Sequence, residues 1–155
     1  GETKTKTKVI GLDLSPHFLS VAQSRQAMQT PHYDDIEWMH ALAEETGLAS
    51  DSIDITAISF LFHELPTEAA TKIVKELYRV TKPSGGTIAI TDNNPKSKVI
   101  QSLPPAIFTL MKSTEPWSDE YYALDIEKLL QEIGFVNVVT VESDPRHRTI
   151  LASKP

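Results

Sequence analysis

The segment Ile55-Thr56-Ala57-Ile58-Ser59-Phe60-Leu61-Phe62 runs eight residues without a charge and is rich in β-branched and aromatic side chains. A strand with one wet face alternates apolar and polar positions. This run is nearly continuous instead, which predicts a strand buried on both faces, as in a parallel sheet covered by helices. The next residues agree with that reading. Pro66-Thr67-Glu68 opens a helix with an acid in its first turn. Ala70, Ile73, Val74, Leu77 and Tyr78 then recur at i, i+3, i+4, i+7 and i+8, a core-facing stripe. Lys82-Pro83-Ser84-Gly85-Gly86 stops that helix, and Thr87 to Thr91 forms the next strand, ending at Asp92.

The same alternation continues on both sides. Lys8 to Asp13 reads as a short apolar strand ending in an acid. Ser15 as N-cap and Pro16 at the first helical position start a helix with the stripe Phe18, Leu19, Val21 and Ala22, running to Met28. Thr30-Pro31-His32 breaks it, Ile36 to Met39 is a second strand, and Glu44 to Asp54 is a polar loop. Pro95, Pro104, Pro105 and Pro116 divide a less regular stretch from Asn93 to Asp119. Asp125 caps a helix carrying Ile126, Leu129, Leu130 and Ile133, closed by Gly134. Phe135 to Val141 and Arg148 to Ala152 form an antiparallel pair, with Arg146-His147-Arg148 on its solvated edge. The alternating Thr-Lys lead-in before Val9 reads as solvated chain. The fold class is therefore α/β, a doubly wound and mostly parallel sheet with a C-terminal antiparallel hairpin.

At 155 residues, 40% hydrophobic and 23% charged, the chain has the proportions of one globular domain. Its 15 basic and 21 acidic residues leave a net charge of −6, the opposite of the basic footprint that duplex binding needs, so no nucleic-acid partner is expected. The absence of cysteine excludes disulfides, thiolate metal ligands and a cysteine nucleophile, and no metal site is expected. No apolar run approaches the ~18–20 residues of a membrane span. The polar, basic start carries no secretory signal, so the expectation is a soluble intracellular protein.

Four ordered segments resemble class I S-adenosylmethionine-dependent methyltransferases. Val9-Ile10-Gly11-Leu12-Asp13-Leu14-Ser15-Pro16 is similar to that family's second strand and helix, and Ser59-Phe60-Leu61-Phe62-His63-Glu64-Leu65-Pro66 to the exit of its fourth strand. Tyr78-Arg79-Val80-Thr81-Lys82-Pro83-Ser84-Gly85-Gly86-Thr87 is similar to its helix-to-fifth-strand turn, and Leu130-Gln131-Glu132-Ile133-Gly134-Phe135 to its last helix-to-strand junction. The resemblance implies a Rossmann-like sheet. Within the family it points to the small-molecule branch of quinone and sterol type, with plant- and cyanobacterial-like relatives.

The resemblance also implies roles. The Asp13 carboxylate, at the carboxyl end of a parallel strand, would accept from the two hydroxyls of the cofactor's ribose, with Leu14 beside it. Leu42 and Ala43 follow the third strand where the family offers an acid and then alanine for the adenine; Leu42 has no acceptor. Ser59 and Phe60 would border the cofactor's methionine end. His63 would serve as general base, since imidazole titrates near neutrality. Phe62, Asp92, Met111, Tyr121 and Tyr122 would meet a small apolar or aromatic acceptor, the last three from within or beside an insert over 93–119 that covers it. Methyl transfer otherwise asks for alignment of donor and acceptor rather than a catalytic triad.

The family's glycine-rich turn after the first strand has no counterpart here: the six glycines include no pair at G-x-G spacing. The expectation is a single methyltransferase-like domain over 1–155 that lacks its first, central strand. It would be a fragment of a longer protein, a degenerate domain, or a sheet completed by a homodimer or partner chain, because the bare strand edges are an aggregation hazard. By itself, the chain should bind S-adenosylmethionine poorly. Two other readings stand beside the enzyme: a non-catalytic methyltransferase-like binding or assembly module, and a nicotinamide dehydrogenase half-domain. The compartment expected is cytoplasm or, by the plant-like resemblance, plastid.

Overall fold

A computed structural model describes residues 7–29 and 36–155. The lead-in over 3–6 and the helix break expected over 30–32 lie outside the described residues. The chain divides after Gly47 into two compact units.

The first unit holds β1 (Val9–Asp13), α1 (Pro16–Met28) and β2 (Ile36–His40). β1 and β2 pair in parallel from Val9↔Ile36 to Asp13↔His40. Ser15 caps α1 as expected, its Oγ accepting from the Phe18 amide at 3.3 Å. Gly11 is required by a close approach: a Cβ there would sit 2.3 Å from the Trp38 ring. That indole is held by its Nε1–H donating to Gln26 Oε1 at 2.6 Å. Of the α1 stripe only Leu19 is buried, and Phe18 stands largely exposed.

The second unit holds β3 (Ile55–Ser59), a 3-10 turn Phe62–Glu64, α2 (Thr67–Val80) and β4 (Thr87–Asn93). Three short helices follow, α3 (Lys98–Gln101), α4 (Pro105–Thr114) and α5 (Ser118–Ala123), then α6 (Ile126–Ile133), β5 (Val136–Glu142) and β6 (His147–Ser153). The sheet order is β3-β4-β6-β5, with β3 and β4 parallel and both pairings of β6 antiparallel. Its core joins Ile73, Val74 and Leu77 of α2 with Ile88 and Ile90 of β4, Leu130 of α6 and Ile150 of β6. Asp125 caps α6 by accepting from the Lys128 amide at 2.9 Å, and Gly134 turns the chain off it at φ +121°. The α/β class and Rossmann-like layering stand, as a pair of sheets with mixed strand directions.

Four details differ from the sequence reading. The apolar run over 55–62 is strand only to Ser59: Phe60 takes φ +55°, and Phe62 begins the 3-10 turn. Among the described residues β3 is an edge strand with β4 as its one neighbour, and Ile55 is 74% exposed rather than buried. Arg148 is buried, not solvated, and pairs with Glu127 of α6 at 2.7 Å. The stretch over 93–119 is helical for much of its length, and its last helix runs on to Ala123.

Candidate functional site

The expected site residues fall into two groups, one in each unit. In the first, Asp13 ends β1, half-buried, and its Oδ1 accepts from the Ser15 amide at 2.7 Å. That turn fixes the carboxylate at the carboxyl end of a parallel strand. Its other oxygen, Oδ2, has no donor among the described residues, an arrangement that fits a vicinal diol. The loop beyond is pinned by His40, whose Nε2 lies 2.8 Å from the Leu14 carbonyl oxygen. Leu14 and Leu42 are exposed, Ala43 is half-buried, and the Leu42 carbonyl accepts from Glu45 N in a tight turn. Leu42 therefore offers apolar surface to a flat base.

In the second unit the chemistry gathers where β3 and β4 end. Asp92, on β4, is 2% exposed, and both its oxygens are engaged. Oδ2 accepts from the amides of Phe62 at 2.9 Å and His63 at 3.3 Å; Oδ1 lies 2.7 Å from His63 Nδ1 and accepts from Asn93 N at 2.7 Å. The buried carboxylate thus folds the 3-10 turn around itself and orients the imidazole it carries. The His63 pKa is raised above its ordinary 6.5, chiefly by the hydrogen bond to Asp92, against the opposing effect of burial. Charges on Asp92, Glu115 and Glu64 add to the rise. With Nδ1 turned to Asp92, Nε2 remains for a ligand; its nearest acid, Glu64, is exposed at 3.8 Å, beyond hydrogen-bond reach.

The insert reaches this point through α5. Glu120 Oε2 accepts from the Thr67 amide at 2.8 Å, capping α2 from 53 residues away. The Tyr121 hydroxyl donates to the Asn93 carbonyl, its ring edge-on to His63 at 6.3 Å. Burial holds that hydroxyl well above the usual phenol range. Tyr122 stacks with Phe108 of α4 at 6.2 Å. Both rings line an open cleft of about 530 Å³, together with Pro95, Ile100, Leu103 and Pro105. Met111 is half-buried on the same helix as Phe108.

Phe62, Asp92 and Tyr121 differ from the expected acceptor contacts. All three are buried, as is His63; Asp92 bonds the His63 ring and the Tyr121 hydroxyl bonds the Asn93 carbonyl at the end of β4. Ser59 and Phe60 are exposed. Phe60 keeps a backbone conformation that side chains other than glycine rarely adopt, its amide donating to Thr91 O at 2.9 Å. Sequence reasoning missed His147. It pairs with Asp144 at 2.6 Å and meets the Phe60 ring edge-on at 5.0 Å. A His three residues after an Asp across a turn was the available signal. Among the described residues no three metal-ligating side chains cluster, and no helix is long and apolar enough to cross a membrane.

Comparison with known proteins places this geometry. A family profile described as a methyltransferase domain matches residues 2–85. The demethylmenaquinone methyltransferase of Oceanobacillus iheyensis is 34% identical over 88 residues, which cover 57% of this chain and 35% of that protein. Its Lactococcus lactis counterpart is 25% identical over 150 residues, 84% of this chain and 57% of the relative. The chain thus spans between about a third and just over half of these relatives' lengths. Among solved structures, phosphoethanolamine N-methyltransferase 2 of Haemonchus contortus, in complex with S-adenosyl-L-methionine, aligns with a TM-score of 0.75 at 16% identity, covering 96% of this chain and 43% of that one. A SAM-dependent methyltransferase from Aquifex aeolicus aligns at 0.69 with 22% identity, covering 96% and 70%. Those two likenesses establish the fold; the profile, matching more than half the chain, establishes the family, and this chain belongs to the methyltransferase domain family.

Proposed function

We propose that the protein transfers a methyl group from S-adenosylmethionine to a small aromatic acceptor of quinone type. The observation that carries the reading is Asp13: a half-buried carboxylate at a parallel strand's carboxyl end, one oxygen engaged by Ser15 and the other without a donor among the described residues. Such a group accepts both hydroxyls of a ribose. The donor, when bound, supplies a methyl sulfonium that is already activated. Asp13 and Leu14 would hold the sugar, and Leu42 and Ala43 would lie along the base by apolar contact.

The acceptor's own nucleophilicity is then the task left to the protein. His63 would take a hydroxyl proton on Nε2 from the acceptor in its reduced, quinol form, leaving a phenolate-type nucleophile for the methyl group, and Asp92 would hold the imidazole in the tautomer that permits this and steady the imidazolium that forms. Met111 and Tyr122 flank the acceptor, and the insert excludes water from it. The quinone-type acceptor is supported by the bacterial demethylmenaquinone methyltransferases among the relatives. The plant- or cyanobacterial-like branch, and with it a cytoplasmic or plastid location, rests on the residue resemblance alone. Among the described residues each of β1 and β3 has one hydrogen-bonded neighbour, an open edge that supports pairing with a further strand from this protein or a partner chain.

Calorimetric titration of the full-length protein with S-adenosylmethionine and with NAD tests this reading. Saturable binding of the first alone is expected, weakened about a hundredfold or more in Asp13→Ala, because two hydrogen bonds to a charged group are lost at about 1.5–3 kcal/mol each. Binding of NAD would overturn the reading in favour of a dehydrogenase. Silence toward both would favour a non-catalytic module, to which the apolar Leu42 also lends itself.

A further inference from the structure

The chain carries a net charge of −6, yet its 19 residues from Lys96 to Thr114 contain three lysines and no acid. The same segment is where apolar side chains stand in solvent. Helix α4 has no buried residue. Phe108, Met111 and Lys112, at i, i+3 and i+4, form its half-buried side, so the neighbouring face presents Ile107 and Leu110, 46% and 64% exposed. Val99 of α3 and Trp117, just past α4, are also exposed. Lys96 and Lys98 are exposed at the start of the segment; Lys112 is drawn back over the Phe108 ring and pairs with Asp119. A short helix of Ile, Leu and Phe with a nearby tryptophan and flanking lysines has the make-up of a segment that lies in the headgroup region of a bilayer. A protein partner would need only the apolar face; the local reversal of charge in an acidic chain selects a surface that is itself anionic.

We propose that α3 and α4 dock the protein on an anionic lipid surface, with Ile107 and Leu110 inserted among the acyl-chain boundary and Lys96 and Lys98 on the headgroups. The cleft lined by Pro95, Ile100, Leu103, Phe108, Asp119 and Tyr122 lies among α3, α4, their flanking loops and the adjoining α5. A lipid-dissolved ligand would thus reach it without crossing water. This docking is independent of whether methyl transfer occurs, because it concerns residues outside the proposed donor and proton-transfer groups.

Vesicle flotation with the full-length protein tests it, using phosphatidylcholine alone and phosphatidylcholine mixed with phosphatidylglycerol. Partitioning into the mixed vesicles is expected, and 1 M salt should release the protein, as the screening length falls from ~10 Å to ~3 Å. Ile107→Ser with Leu110→Ser should weaken partitioning at least about tenfold. Lys96→Gln with Lys98→Gln should weaken it about thirtyfold and erase the preference for the anionic lipid. All four side chains are exposed, so circular dichroism and melting should be unchanged. Three results would overturn the proposal: no flotation with either lipid, flotation that neither variant reduces, or a dimer in lipid-free buffer that the Ile107→Ser, Leu110→Ser variant converts to monomer. The last would assign the face to a second copy of the chain.

Discussion

His63 depends on a carboxylate it could not have recruited locally. Asp92 lies 29 residues on, and its four contacts fix the imidazole's tautomer, its height above the strand ends and its raised pKa together. In its proposed role as general base His63 acts only when neutral, so the rate should climb as pH rises through that raised value. Asp92→Asn keeps the size but removes the charge and the strong acceptor. Burial is then left to dominate, the His63 pKa falls, and the acidic limb of the kcat/KM profile should move to lower pH while kcat drops. A merely structural role would lower activity without moving the limb. His63→Gln should cost about a hundredfold or more in kcat, the usual weight of a positioned base. Stability follows the same group with the opposite slope. Because the folded pKa is raised, the pair stabilises the protein fully below the ordinary 6.5, and that advantage is lost as pH climbs through the folded value. Urea midpoints of wild type and His63→Gln should therefore converge at alkaline pH.

At the scale of elements, two contacts show what holds the pieces in register. Gly11 of β1 has the Trp38 ring where its Cβ would be, at 2.3 Å. The ring is tethered to Gln26 of α1, so yielding would strain or break that bond. Gly11→Ala should destabilise the β1–β2 pair by about 1–3 kcal/mol, the range of an overpacked core, seen as a shift in tryptophan fluorescence at lower urea. Glu127 of α6 neutralises Arg148 of β6, whose guanidinium is buried and whose Nε has no partner among the described residues. Glu127→Ala would leave that charge unpaired. A loss of about 2–3 kcal/mol is expected, below the usual figure for a buried pair because Glu127 itself keeps some solvent contact, and denaturant titration would read it. These contacts also mark how far the residues alone could be read. Ser15-Pro16, Asp125 and Gly134 announce helix ends because a cap is a local bond, and each was legible. The end of β3 was not, since Phe60 turns and Phe62 leaves the sheet only because Asp92, on another strand, accepts the amides beyond the turn. Arg148 was misread for the same reason: its partner sits on a helix 21 residues earlier. Asp13 and His63 could be picked out as chemistry-bearing residues, whereas Asp92 and Tyr121 changed from expected ligand contacts to buried supports once their partners were in view.

On the scale of the whole molecule, the hydrophobic material is unevenly shared. Leu19 is the one buried apolar side chain among the described residues of the first unit; the second buries fifteen. Burial of each such side chain stabilises by about 1.5–3 kcal/mol, so the first unit has little beyond its β1–β2 ladder, the α1 cap and the Trp38–Gln26 bond to oppose the entropy of its own chain. A small unit in that position opens on its own before the rest unfolds. Hydrogen exchange should find the amides of Gly11 and Leu12 on β1 and of Trp38 on β2 passing through a local opening of low free energy and little urea dependence. Those of Ile88, Ile90 and Ile150, in the β4–β6 ladder, should exchange only by global unfolding. Asp13, proposed above to hold the donor's ribose, belongs to the weaker unit and the His63–Asp92 pair to the stronger one. Donor binding should therefore be coupled to ordering of the first unit, so that saturating S-adenosylmethionine slows exchange at Gly11 and Leu12 while leaving Ile88 and Ile90 nearly unchanged. Equal exchange free energies in both units without ligand would contradict this division, because they would mean that the chain unfolds as one cooperative block despite the sparse core around Leu19.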